Sequence, residues 1–209
     1  RGMAGMHDVD DFPDAVQVPG LVVYRYDSPL FFANAEDFHT RALAAVDDAE
    51  APVEWLIINA ESNVEVDLTS LDALARLHDE LVSRGIVLAL ARVKQDLLDD
   101  LEAAGLDDAI GTEHFYPTLP TAVTAYLLKQ QGHEVVGVID SAIVVHECVT
   151  RLAPDVVIVD SESPSRDTLE HIATLSGSSP RPVVVFAEDD SDEPLRRAMQ
   201  AGVSAYVVA

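Results

Sequence analysis

The chain has 209 residues, of which 48% are hydrophobic and 24% charged, an ordinary globular composition with room for one large or two small domains. Its formal net charge of −24 and pI near 4.3 describe an acidic, solubilising surface that repels phosphate backbones, which argues against direct nucleic-acid binding. The single cysteine, Cys148, excludes an internal disulfide framework and any multi-cysteine metal site, and no apolar run approaches the roughly 18 residues of a spanning helix.

Residues 1–19 are polar, acidic and aperiodic and read as a lead-in; both ends of the chain read as cuts in something longer. Two short apolar runs, "LVVYRY" (21–26) and "PLFFAN" (29–34), predict a strand pair joined at Asp27-Ser28-Pro29. A helix follows, with Phe38, Ala42, Ala45 and Val46 at helical spacing, Asn34 as its N-cap and Asp37 as a capping-box-like partner. "VEWLIINAE" (53–61) is a buried strand, and "SNVEVD" (62–67) a loop. Asp67 or Thr69 caps the next helix, whose apolar stripe is Leu71, Leu74, Leu77 and Leu81 and whose end is marked by Gly85. "IVLALAR" (86–92) is a strand, "KQDLLDDLEAAG" a short helix, "HFYPT" (114–118) a brief strand, and Pro120 opens another helix.

Beyond Gly132 strands and helices alternate strictly. "EVVGVI", "DVVIVD", "PVVVFAE" and "AYVV" are strands, and helices of about ten residues separate them. That order predicts a parallel sheet covered on both faces. Cys148 falls on an apolar helical pattern and is expected to be buried.

The chain lacks a His-Glu-x-x-His pair, a Gly-rich phosphate loop and a Gly-x-Ser-x-Gly elbow. Its seven histidines are scattered, and the acidic runs "AEDDSDE" and "LLDDLEAAGLDD" lack EF-hand spacing. No catalytic residue, metal site or cofactor is therefore expected. Two stretches stand out. In "NAESNVEVDLTSLDAL" (59–74) a buried strand leads through a polar loop to a helix start. Asn63, Asp67, Thr69 and Ser70 form the candidate regulatory or binding loop: free N–H groups there favour an anion, and the hydroxyls are open to modification. The plainer reading makes Asp67 and Thr69 caps. In "PDVVIVDSESPSRDTL" (154–169) a β-branched run ends on Asp160, where a parallel sheet usually places its chemistry.

Residues 16 to about 127 resemble the cytoplasmic STAS domain of SulP-type anion (sulfate) permeases. The resemblance rests on "PGLVVYRYDSPLFFANAEDF", "NAESNVEVDLTSLDALARL", "LVSRGIVLALARVKQDL" and "FYPTLPTAVTAY". It implies a sheet flanked by helices and a non-enzymatic regulatory role. In the related anti-anti-sigma factors a serine in Asp-Ser-Ser-Gly accepts phosphate; here the matching stretch is "DLTSL", with Thr69 as the counterpart and the glycine missing.

Residues 129–209 resemble a receiver domain of nitrate-regulatory, ANTAR-type response regulators, through "APDVVIVDSESPSRDTLEHI", "PRPVVVFAED" and "RRAMQAGVSAYVV". The resemblance gives Asp160 the phosphoacceptor position and Pro164 the usual proline. Aspartyl phosphorylation also needs Mg²⁺ held by further carboxylates, a hydroxyl ending the fourth strand and a lysine ending the fifth. Here the first strand with its acidic pair is missing, Ala187 stands at the hydroxyl position, and Ala209 stands near the lysine position. "HFYPT" is the candidate stand-in for that first strand.

The expected fold class is α/β: a lead-in (1–15), a STAS-like sheet-and-helix domain (16–128) and an incomplete receiver-like, flavodoxin-like parallel domain (129–209). The expected function is non-enzymatic regulation by contact with a protein partner or a transporter membrane domain. Its place is the cytoplasm, and the chain itself spans no membrane. Two alternatives stand beside it. One is a phosphorelay receiver accepting phosphate on Asp160 with Mg²⁺. The other is a small-anion or nucleotide module at the Asp67–Ser70 helix start.

Overall fold

A computed structural model of the chain describes residues 17–63, 66–139, 144–161, 164–178, 180–187 and 189–208. The 1–15 lead-in, Ser163 and Ala209 lie outside them. The chain divides into two compact units, 1–134 and 135–209.

The first unit carries β1 (Leu21–Arg25), α1 (Ala35–Asp47), β2 (Trp55–Asn59), α2 (Leu68–Ser83), β3 (Val87–Ala91), α3 (Gln95–Ala103), α4 (Leu106–Ile110), β4 (Phe115–Tyr116) and α5 (Leu119–Gln130). The strands form a parallel sheet in the order β1-β2-β3-β4, in register from Leu21 beside Trp55 to Trp55 beside Val87. Each crossover steps in the same direction, and right-handed crossovers then place every connecting helix on one face. Accordingly α1, α2 and α3 share one core: Phe38, Ala42, Leu74, Leu77, Leu81, Leu97 and Leu101 pack with Leu56, Ile58, Leu88 and Leu90. Helix α5 packs on β2, β3 and β4 and brings Tyr126 to Trp55, with ring centroids 5.8 Å apart. Trp55, Ile57, Ala89 and Ala91 are buried on that other face, so β2 is buried on both. Such continuous apolar strands are what a doubly covered parallel sheet requires. Gly85 adopts φ +73 just past α2, and the Ile86 N–H returns to the Leu81 carbonyl, closing the helix as expected from its glycine.

Two local expectations fail here. "PLFFAN" is not a strand. The Asn34 side chain accepts from the Phe31 N–H at 2.9 Å and donates to the Pro29 carbonyl at 2.9 Å, folding the segment into a turn that leads into α1. Asn34 therefore stands at the N-cap position without capping through its side chain. Asp37 is likewise committed elsewhere, to the Tyr26 hydroxyl at 2.8 Å and to Arg41.

The second unit holds α6 (Val145–Leu152), β5 (Val157–Asp160), α7 (Arg166–Ser178), β6 (Val183–Ala187), α8 (Asp192–Gln200) and β7 (Ala205–Val208). Its separate parallel sheet runs β5-β6-β7. Val149, Leu169, Ile172, Leu175 and Ala198 pack against Val183, Val185 and Ala187 on one face. The register puts Ile158, Val184, Phe186, Ala205 and Val207 on the opposite face, where Ile158 and Val207 are each 39% exposed.

"EVVGVI" forms no strand: among the described residues, 133–139 pair with no sheet. "HFYPT" does not stand in for a receiver's first strand either. Its β4 pairs with β3, Leu90 beside Phe115 and Ala91 beside Tyr116, at the edge of the first sheet, and among the described residues the second sheet holds only β5, β6 and β7. Cys148 is half-exposed rather than buried, because α6 turns Val149 into the core instead.

Candidate functional site

The carboxyl end of β2 leads into a short 3-10 turn, Ala60–Ser62, begun by the Asn59 side chain, which accepts from the Glu61 N–H at 3.2 Å. Asn63 follows, only 2% exposed, and its Nδ2 donates to the Ser28 carbonyl at 3.0 Å. Asp67 then caps α2. One carboxylate oxygen, Oδ1, accepts from the Ser70 N–H at 2.9 Å and the Ser70 hydroxyl at 3.0 Å. The other accepts from the Phe32 N–H at 2.7 Å. The Ser70 N–H foremost, with the other donors around it, holds the Asp67 carboxyl below the usual carboxylate range.

This geometry separates the four sequence candidates. Asp67 is the cap, and it also ties the loop after β1 to the start of α2. Asn63 is a second tie to the same loop. Ser70 is buried and its hydroxyl is already given to Asp67. Thr69 is exposed, the one hydroxyl of the pair that faces solvent. An anion at this helix start would meet the Asp67 carboxylate already seated on the N–H groups. The nearby guanidinium of Arg92 is held by Glu61 at 2.8 Å, and that of Arg25 lies 2.8 Å from Asp27.

Sequence reasoning missed the side chains that these ties present. Phe32 is 72% exposed, Leu68 is 85% exposed, and Phe31 stacks edge-on to Phe32 with centroids 5.8 Å apart. The signal was present in "SPLFFAN": successive side chains of a strand point to opposite faces, so two adjacent phenylalanines are both buried only in a strand covered on both sides.

In the second unit Asp160 is the last residue of β5 and is exposed beside Phe186, while the next N–H, that of Ser161, donates to the Phe186 carbonyl at 3.0 Å. Ser165 caps α7, accepting from the Thr168 N–H at 3.1 Å. Ala187 ends β6 and is buried. Among the described residues no three His, Cys, Asp or Glu side chains are grouped to hold a metal ion, and no helix is long and apolar enough to cross a membrane.

A four-stranded parallel sheet with helices on both faces and a capped helix start after β2 is the architecture on which the family comparison falls. The STAS domain family matches residues 12–122, more than half of the chain, and the protein belongs to that family. A probable sulfate transporter of Mycobacterium tuberculosis (strain H37Rv) is 66% identical over 125 residues, which cover 60% of this chain and 22% of that protein. Low affinity sulfate transporter 3 of Stylosanthes hamata is 35% identical over 130 residues, covering 57% and 20%. The chain thus spans about a fifth of the length of these curated relatives. The structure of the murine Solute Carrier 26 family member A9 anion transporter in the inward-facing state aligns with a TM-score of 0.52 at 24% identity, over 61% of this chain and 20% of that one, a likeness of fold.

Proposed function

We propose that the first unit is the cytoplasmic STAS module of a SulP-type sulfate transporter and acts without catalysis, by protein contact at the start of α2. The observation that carries this reading is the exposed apolar ridge of Phe31, Phe32 and Leu68, held in place by the Asp67 and Asn63 ties and set beside exposed Thr69. Exposed aromatic side chains on a rigid support are the usual anchors of a protein interface. The partner is the membrane domain of the same transporter, whose cytoplasmic loops carry an excess of Lys and Arg and so complement a chain of net charge −24. The test is calorimetric titration of the purified chain into the detergent-solubilised membrane domain. Binding is expected, and the double substitution F32A and L68A should weaken it at least tenfold while leaving the circular dichroism spectrum unchanged. Equal binding by the double variant overturns the surface assignment; no binding by the unaltered chain overturns the partner. Thr69 is the modification site on this surface, and phosphopeptide mapping from cells that finds it unmodified under all conditions removes that part.

For the second unit we propose a degenerate receiver in which Asp160 does not accept phosphate. The supporting observations are Ala187 at the end of β6 and the lack, among the described residues, of clustered metal-binding carboxylates. Treatment with acetyl phosphate and Mg²⁺ should leave the intact mass unchanged; a gain of one phosphoryl group overturns this reading in favour of an active phosphorelay receiver. The small-anion alternative is disfavoured by the Asp67 carboxylate on the α2 N–H groups, and sulfate should produce no thermal shift.

A further inference from the structure

Strand β5 has one bonded edge and one open edge. The Val157 N–H donates to the Pro182 carbonyl at 2.9 Å, and the Ser161 N–H donates to the Phe186 carbonyl at 3.0 Å. Backbone groups along a paired strand point alternately to its two sides, so Ile158 and Asp160 turn their N–H and C=O groups away from β6. Among the described residues no strand lies on that side. Native sheets blunt such an edge with Lys, Pro or a bulge. Here the edge runs through Val156, Val157, Ile158 and Val159 with none of these. The face beside it is apolar and open, with Val156 47% exposed and Ile158 39%. An exposed carboxylate stands at each end, Asp155 and Asp160.

We propose that the free edge of β5 is a docking site for an extended, apolar segment of another protein that carries Lys or Arg at both ends. The segment adds a strand beside β5, exchanging backbone hydrogen bonds with Ile158 and Asp160 while its side chains extend the open apolar face. Backbone bonding supplies affinity without regard to sequence, and the two carboxylates supply the choice of charge. The same charges speak against a second copy of this chain. Antiparallel pairing of two β5 edges about Ile158 sets Asp160 of one copy near Asp155 of the other, between two chains of net charge −24 each. The unpaired run 133–139 is seated elsewhere: Gly137 lies so close to Leu152 of α6 that a Cβ there would collide with it.

The test is amide-resolved NMR on the isotope-labelled full chain, titrated with acetyl-Lys-Val-Thr-Val-Thr-Val-Lys-amide and with the same peptide ended by Glu in place of Lys. At saturation the Lys-ended peptide is expected to slow hydrogen exchange at Ile158 and Asp160 at least about tenfold. It should bind at least about threefold more tightly than the Glu-ended peptide. Asp155→Lys combined with Asp160→Lys, both at exposed positions, should reverse that preference. No protection at millimolar peptide overturns the docking site. So does equal protection already present in the free chain, whether from 133–139 or from a second copy seen as a concentration-dependent mass in sedimentation. Equal binding of the two peptides overturns the charge assignment.

Discussion

The two units start from the same construction and differ in what covers it. Each lays parallel strands side by side in chain order and puts its crossover helices on one face. In the first, α5 then crosses to the other face and buries Trp55, Ile57, Ala89 and Ala91, leaving β2 closed on every side. In the second, the described helices share a single core on one face. Its other face stays apolar and partly open from Ile158 to Val207, and among the described residues β5 pairs with β6 alone. The number of strands matters less than the second layer. An apolar strand gains its stability from being covered twice, and each large side chain so buried contributes roughly 1.5–3 kcal/mol.

The largest test of that contrast is in the core of the first unit. Phe38→Ala removes a ring that is 1% exposed and packs against Tyr24 and Tyr26. It should cost about 3–5 kcal/mol. Trp55 is the sole tryptophan and lies in this unit, so urea unfolding followed by its fluorescence reports on this unit. An unshifted midpoint would show that the core shared by α1, α2 and α3 is not what holds the first unit together. Next is native-state hydrogen exchange. The amides of β5 should exchange at least about a hundredfold faster than those of β2, roughly 2.7 kcal/mol in opening free energy. Equal protection would mean that the second unit is closed by something else.

Two smaller tests concern the start of α2. Asp67→Ala removes the cap and the Phe32 tie and should lower the urea midpoint clearly, whereas exposed Thr69→Ala should leave it nearly unchanged. If the two lose equally in the same urea titration, Asp67 is not the tie described. The smallest effect is on pH dependence. The folded-state pKa of Asp67 lies below its unfolded value of about 4. Its contribution is therefore complete above that value and is lost as pH falls through the folded pKa. The difference in urea midpoint between the unaltered chain and Asp67→Asn should be flat from about pH 7 to 5 and shrink below about 4. A difference that changes above pH 5 would point to another group.

Much of the first unit was legible because its signals are local or periodic. "VEWLIIN" could only be a buried strand, the Leu71–Leu81 stripe only a helix face, and Asp67 stood where an N-cap belongs. The misreadings share one cause. "PLFFAN" and "EVVGVI" have the composition of strands, but a strand exists only where a neighbour receives its hydrogen bonds, and no pattern within either segment says whether one does. Local strand preference was outweighed at 29–34 by a side chain, Asn34, that closes a turn. At the candidate site, the cap was readable from residue type and position. The reach of Asp67 to Phe32 and of Asn63 to Ser28 was not, since each spans 35 residues of chain.

The way the chain enters the first unit has a structural consequence. The hydroxyl of Tyr126, on the last helix of the unit, donates to the Pro19 carbonyl at 2.8 Å, and Gly20 lies so close that a Cβ there would collide with that hydroxyl. The Gly20 carbonyl in turn accepts from the N–H groups of Glu54 and Trp55. The segment at Pro19–Gly20 is thus bonded to α5 and to the head of β2 just before β1 begins at the sheet edge. These contacts pin the entry of β1 to both the last helix of the unit and the head of its central strand.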